Sequence, residues 1–98
     1  MKTITLDLRP FEEKISLHRY LKEQLDFPFY YGANLDALHD MLTSETQDLS
    51  IEILLPENPV GIMRNYLPRM RRVFEDSVVE NYHIQVAFPK EKAAEENV

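Results

Sequence analysis

Asp36, His39, Asp40 and Thr43 fall at i, i+3, i+4 and i+7, a spacing that gathers side chains on one side of a helix. Leu35, Leu38 and Leu42, with Met41 near the edge, take the roughly opposite side, so the polar stripe faces water or a partner. Three chemistries suit such a stripe. Two carboxylates and an imidazole are acceptable ligands for a divalent cation, but no fourth ligand is evident. A histidine beside an aspartate could act as an acid–base pair, yet His39 and Asp40 are adjacent and diverge around the helix. The third is binding, in which carboxylates shown to a cationic partner imitate a negatively charged substrate. A Gly-rich phosphate loop, a GxSxG turn and a cysteine nucleophile are all absent, so an enzyme is the poorer reading and no catalytic residue or cofactor is assigned.

The stripe needs a helix, and Asn34 supplies its start, since its side-chain oxygen can accept from the free N–H groups of the first turn. Asp36 lies in that turn, where the helix dipole favours a carboxylate; Asp40 lies beyond it and is not explained that way. Ahead of Asn34 comes "FPFYYGA". One of Tyr30 and Tyr31 is expected to pack the connection, and Gly32 reads as the residue that admits a positive φ in the turn.

Three segments alternate with period two and read as strands: Ile4, Leu6 and Leu8; Ile51, Ile53 and Leu55; and Ile84, Val86 and Phe88. Ile15, Leu17, Leu21 and Leu25 predict a helix over roughly 12–25, with Glu12 and Glu13 at its positive end. A further helix is predicted towards Glu80. Its start is placed near Pro68, where proline is tolerated, rather than at Met63. The order β-α-α-β-α-β requires parallel strands and right-handed crossovers. The expected fold is therefore α/β in two layers, a three-stranded parallel sheet in the order 1-2-3 with helices packed on one face. Residues 1–89 are expected to form a single domain, and 90–98, "KEKAAEENV", a disordered tail.

A chain of 98 residues with 44% hydrophobic content can bury a core without staples, and with no cysteine it has no disulfide or thiolate metal site. No apolar run is long enough to cross a membrane, and the alternating N-terminus lacks a signal-peptide core. A soluble, cytoplasmic protein is expected. The net charge of −6 is unevenly spread. Between Glu23 and Met63 there is no Lys or Arg but eight acids, Glu23, Asp26, Asp36, Asp40, Glu45, Asp48, Glu52 and Glu57. Arg64, Arg69, Arg71 and Arg72 follow at once. Such a field repels nucleic acid and attracts cationic partners.

The segment "YYGANLDALHDMLT" resembles the signature of the barstar family, bacterial intracellular inhibitors of secreted, guanyl-specific ribonucleases of the barnase type. The family pattern is Tyr-Tyr-Gly, a variable residue, Asn-Leu-Asp-Ala-Leu, an aromatic (usually Trp), Asp, a variable residue and Leu-Thr. Only the Trp is replaced, by His39. The likeness is looser elsewhere but runs along the chain; "SLHRYLKEQL" is similar to the family's first helix and "VFEDS" to part of its last. The resemblance implies that the helix and the loop before it, Tyr30 to Glu45, enter the nuclease active site, bringing Asn34 and Thr43 into the contact segment. Asp40 matches the carboxylate that meets catalytic Arg and His residues, and Asp36 a second acid facing the same cleft. Tyr30 matches a tyrosine that packs on the catalytic histidine, and Asp76 stands where a Glu makes a peripheral ion pair. The implied partner is a basic secreted or toxin ribonuclease, bound by a chain that is a monomer when free.

Three positions depart from the pattern. His39 takes the place of the interface Trp, and Ser44 and Glu45 replace a Gly-Trp pair that usually touches the enzyme. Two rigid aromatic contacts are thereby lost. His39 also introduces titration near neutrality, and its protonated ring would face a basic enzyme unfavourably unless Asp36 or Asp40 offsets it. A barstar-like module for a different nuclease or a non-nuclease partner is the alternative, and a metal-binding enzyme using Asp36, His39 and Asp40 the more distant one.

Overall fold

The structure is a computed structural model and describes residues 1–89; the tail expected over 90–98 lies outside the described residues. In chain order the elements are β1 (Lys2–Asp7), α1 (Lys14–Gln24), α2 (Leu35–Thr43), β2 (Leu49–Leu54), α3 (Met63–Glu80) and β3 (Ile84–Ala87). The strands form a three-stranded parallel sheet in the order β1-β2-β3, as expected. Ile4 pairs with Ile51, Leu6 with Ile53 and Leu49 with Ile84. This register puts Leu6, Ile51, Ile53 and Ile84 in the core, while Thr3, Thr5, Glu52 and Gln85 face water. A sheet with one apolar face takes its helices on that face alone. Among the described residues no helix is long and apolar enough to cross a membrane.

In α1 the predicted stripe shifts. Leu17, His18 and Leu21 are buried, whereas Ile15 is 64% exposed. Two residues at about 100° each put Ile15 some 200° from Leu17, too far to share a face with Leu21 and Leu25. The helix ends in a Schellman-type turn: Asp26 adopts φ 58° and the Phe27 N–H donates to Lys22 O at 2.9 Å. That turn sends Phe27 back against the core, 4.8 Å from the Tyr31 ring.

α3 departs from its predicted start. It begins at Met63 and carries Pro68 inside it. A proline there removes one helical hydrogen bond and costs about 3 kcal/mol. Met63, Tyr66 and Leu67 all lie in the first turns and are buried, each worth about 1.5–3 kcal/mol. Their sum exceeds the proline cost, and Pro68 itself is exposed, so the helix runs through it.

His18 is fully buried and joins three parts of the fold. Its Nδ1 lies 2.7 Å from the Tyr31 hydroxyl and its Nε2 2.6 Å from the Tyr66 hydroxyl. A neutral imidazole has one donor and one acceptor, so one tyrosine donates to the ring and the other accepts from it. Burial, and secondarily the Lys14 charge, hold the His18 pKa below its ordinary value, and burial raises that of both tyrosines. The loop before α2 is thus tied through Tyr31 to α1 and α3.

Candidate functional site

Tyr31 is buried, and that frees its neighbours to point away. Phe29 and Tyr30 are 88% and 69% exposed, with their rings in T-shaped contact at 5.6 Å. The expectation that one tyrosine packs is met by Tyr31. The expected role of Gly32 is not. Its φ is not positive; Ala33 takes the left-handed conformation, at φ 56°. Space at Gly32 is tight instead, since a Cβ there would sit 3.2 Å from the Ala37 Cβ, a few tenths of an ångström inside ordinary contact. Ala37 is fixed on the helix, so the clash cannot be relieved by a rotamer change. Ala33→Gly is therefore expected to raise stability by up to about 1 kcal/mol, the relief of a left-handed alanine less the added chain entropy. Gly32→Ala should lower it by about 1 kcal/mol. Urea unfolding of both variants checks the assignment, and reversed signs would refute it.

Asn34 caps α2 as predicted: its Oδ1 accepts from the Ala37 N–H at 2.7 Å, and its Nδ2 donates to Gly32 O at 3.3 Å. Leu38 and Leu42 are buried beneath the helix. Asp36 and Asp40 are exposed on the other side. Among the described residues neither carboxylate has an ion pair or a hydrogen bond to its side chain. Around Asp36, Lys14 and Arg69 line a shallow hollow with Tyr66 and Asn34. Arg71 spends its charge elsewhere, on Glu75 at 3.2 Å and over the Phe88 ring at 4.2 Å.

His39 does not join Asp36 and Asp40. Its Nε2 donates to Glu80 Oε2 on α3 at 2.9 Å. That hydrogen bond raises the imidazole pKa, with further support from the charges of Glu80, Asp40 and Asp76. Asp76 therefore stands close to His39 across the α2–α3 seam, exposed and one turn before Glu80. The remaining candidates are used internally. The Thr43 hydroxyl donates to His39 O at 2.8 Å, the Ser44 hydroxyl donates to Asp40 O at 2.7 Å, and Glu45 accepts from the Thr46 and Gln47 N–H groups at 3.1 Å. Ser44 and Glu45 thus end the helix and shape the turn after it. Among the described residues no three of His, Cys, Asp and Glu gather as a metal-holding group.

Three contributors were not expected from sequence. Glu80 sits 41 residues from His39, and nothing local to either residue announces the pair. Asn81 is buried and donates to Leu42 O at 2.9 Å and to Glu45 O at 3.0 Å, closing the C-terminal end of α2. Asn81→Ala should cost about 2 kcal/mol by removing the amide from both carbonyls, of which Leu42 O keeps only longer contacts such as the Glu45 N–H at 3.4 Å. Thermal unfolding measures it; an unchanged midpoint would show that water replaces the amide. Phe29 is the third, an exposed ring against Tyr30; the signal that could have found it is the aromatic run "FPFYY".

Around His39 the seam between α2 and α3 thus brings together the charges of Asp40, Asp76 and Glu80, with Asp36 exposed one turn earlier on α2. Residues 1–87 match the family model described as Barstar (barnase inhibitor). A Bacillus subtilis (strain 168) protein named "Putative ribonuclease inhibitor YrdF" is 51% identical over 55 residues, which cover 56% of this chain and 59% of that protein. With nearly all of the described chain matched by the family model, the chain belongs to the barstar family.

Proposed function

We propose that the chain is a stoichiometric inhibitor of a ribonuclease of the barnase type, and that it blocks the active site with α2 and the loop before it. The observation that carries this reading is the pair Asp36 and Asp40. Both are exposed on one helix face, and neither has an internal partner among the described residues. Surface acids left in this state repel one another and gain little from the fold, whereas a cationic cleft that excludes water would make short, strong pairs with them. In this reading they occupy the places of RNA phosphates. Tyr30 and Phe29 supply apolar contact at the rim, and Asp76 adds a solvent-exposed pair at the edge. The family match and the name of the B. subtilis relative point to the same class of partner. The net charge of −6 would speed encounter with a basic enzyme, an effect weakened by salt. Such a protein acts as immunity inside the cell that makes the nuclease, or in a neighbour exposed to it.

The test is a titration of the chain into a guanyl-specific microbial ribonuclease while RNA cleavage is followed. Activity should fall linearly to an end point at one inhibitor per enzyme. Cleavage that persists at excess inhibitor would exclude this enzyme class as the target.

A further inference from the structure

His39 occupies the centre of the acidic face, yet it is itself a base, and its ring is turned from α2 towards α3. Its Nε2 lies 2.9 Å from Glu80 Oε2, with both side chains reachable by solvent, His39 at 33% and Glu80 at 52% exposure. Among the described residues the charges acting on the ring are all acidic, Glu80 and Asp76 from α3 and Asp40 from its own helix. Asp36 lies one turn earlier on α2, with Arg69 beside its hollow rather than beside His39. In the free protein, then, Glu80 has a hydrogen-bond partner of its own and does not stand open like Asp36 and Asp40.

We propose that His39 is a proton-linked specificity residue: a cationic partner docking on this face draws Glu80 and Asp76 to itself, and the His39 imidazolium gives up its proton to solvent. This rests on the inhibitor reading above and deepens it. The free state favours the charged ring because Glu80 receives its N–H at 2.9 Å and the charges of Glu80, Asp40 and Asp76 all act in the same direction. In the complex Asp40 and Glu80 face the partner's cations at a contact that excludes water, with Asp76 at its hydrated edge, so an imidazolium there is opposed by both charge and desolvation. The neutral ring can stay as a flat, apolar contact. Linkage then sets the sign. A group protonated when free and unprotonated when bound makes binding tighter as pH rises, by at most about tenfold in Kd per pH unit for one proton, and only up to the pKa of the free state. That pKa lies above the ordinary imidazole value of about 6.5.

The test compares this chain with His39→Gln as inhibitors of a guanyl-specific microbial ribonuclease between about pH 5.5 and 8.5. The variant removes His39 from the titration but leaves the groups of the enzyme in both arms. The ratio of the Kd of the natural chain to that of His39→Gln should fall as pH rises, by up to about tenfold per unit, and then level off. NMR titration of the free chain should place that levelling at the His39 midpoint, and Glu80→Gln should move the midpoint down. A flat ratio with intact inhibition, or a ratio that rises with pH, overturns the inference and leaves the inhibitor reading standing. Absence of inhibition by both proteins at every pH overturns the inhibitor reading, and this inference with it.

Discussion

Asp40→Ala is expected to weaken inhibition by roughly 30-fold to 5,000-fold. This corresponds to the 2–5 kcal/mol general to truncating one partner of a buried, hydrogen-bonded charge pair, a range that complexes of this kind, barnase–barstar included, helped to set. Asp40 is exposed and has no ion pair among the described residues, so its removal leaves the fold intact. The cost arises in the complex, where the enzyme's cations would stay buried with nothing opposite them. Asp76→Ala should cost less than about 1 kcal/mol, because an edge pair stays hydrated and screened. Inhibition constants for both variants, with thermal unfolding as a control, decide the matter. Equal losses would mean that Asp40 is not central to the interface. A loss at Asp40 with a lowered melting temperature would mean that the carboxylate serves the fold.

His18→Ala should cost about 3–5 kcal/mol of folding stability. The ring is fully buried, so its removal leaves a cavity. It also strands the Tyr31 and Tyr66 hydroxyls, which meet its two nitrogens at 2.7 and 2.6 Å, at about 1–3 kcal/mol for each buried group left unpaired. His18→Phe fills most of the space but leaves both hydroxyls unmet, and should recover only part of the loss. Urea unfolding of the two variants separates packing from hydrogen bonding. A loss under about 1 kcal/mol for His18→Ala would show that water enters and replaces the ring.

The two histidines also tilt stability in opposite directions with pH. His18 has a depressed folded pKa. Its contribution is complete above the unfolded value of about 6.5 and is lost as pH falls through the folded pKa. His39 has a raised folded pKa. Its smaller, largely screened contribution is complete below about 6.5 and is lost as pH rises through the folded pKa. Asp7, held low chiefly by its hydrogen bond from Arg9, adds a separate acid loss below about 3.9. The acid side of the profile above pH 5 should therefore belong to His18 and the shallow loss just above neutrality to His39, while the raised pKa values of the buried Tyr31 and Tyr66 hydroxyls add a further loss above about pH 10.

Much of this was legible along the chain. The three strands, their parallel order and the placement of the helices on one face followed from period-two alternation and the β-α-α-β-α-β sequence of elements. The second helix, its Asn34 cap and its outward acids followed from a spacing that covers nine residues. Errors came where a local preference met a larger burial. Pro68 suggested a helix start, but Met63, Tyr66 and Leu67 carry the helix past it. Gly32 suggested a left-handed turn, but the strain falls on Ala33 and the glycine answers to the Ala37 methyl.

The sequence by itself determined which groups this protein could display: an acidic, capped helix behind an aromatic loop, on a small α/β sheet. Each of those properties depends on residues within a few positions of one another, where backbone geometry alone sets the distances. Only the tertiary structure decided how the groups are employed. It buried Tyr31 and exposed Tyr30, gave Asn81 to the end of α2, and set Glu80 against His39 across 41 residues. Contacts at that separation depend on the angle and depth at which α3 packs against α2, which the whole core fixes together. Among the described residues, the same packing left Asp36 and Asp40 without partners of their own.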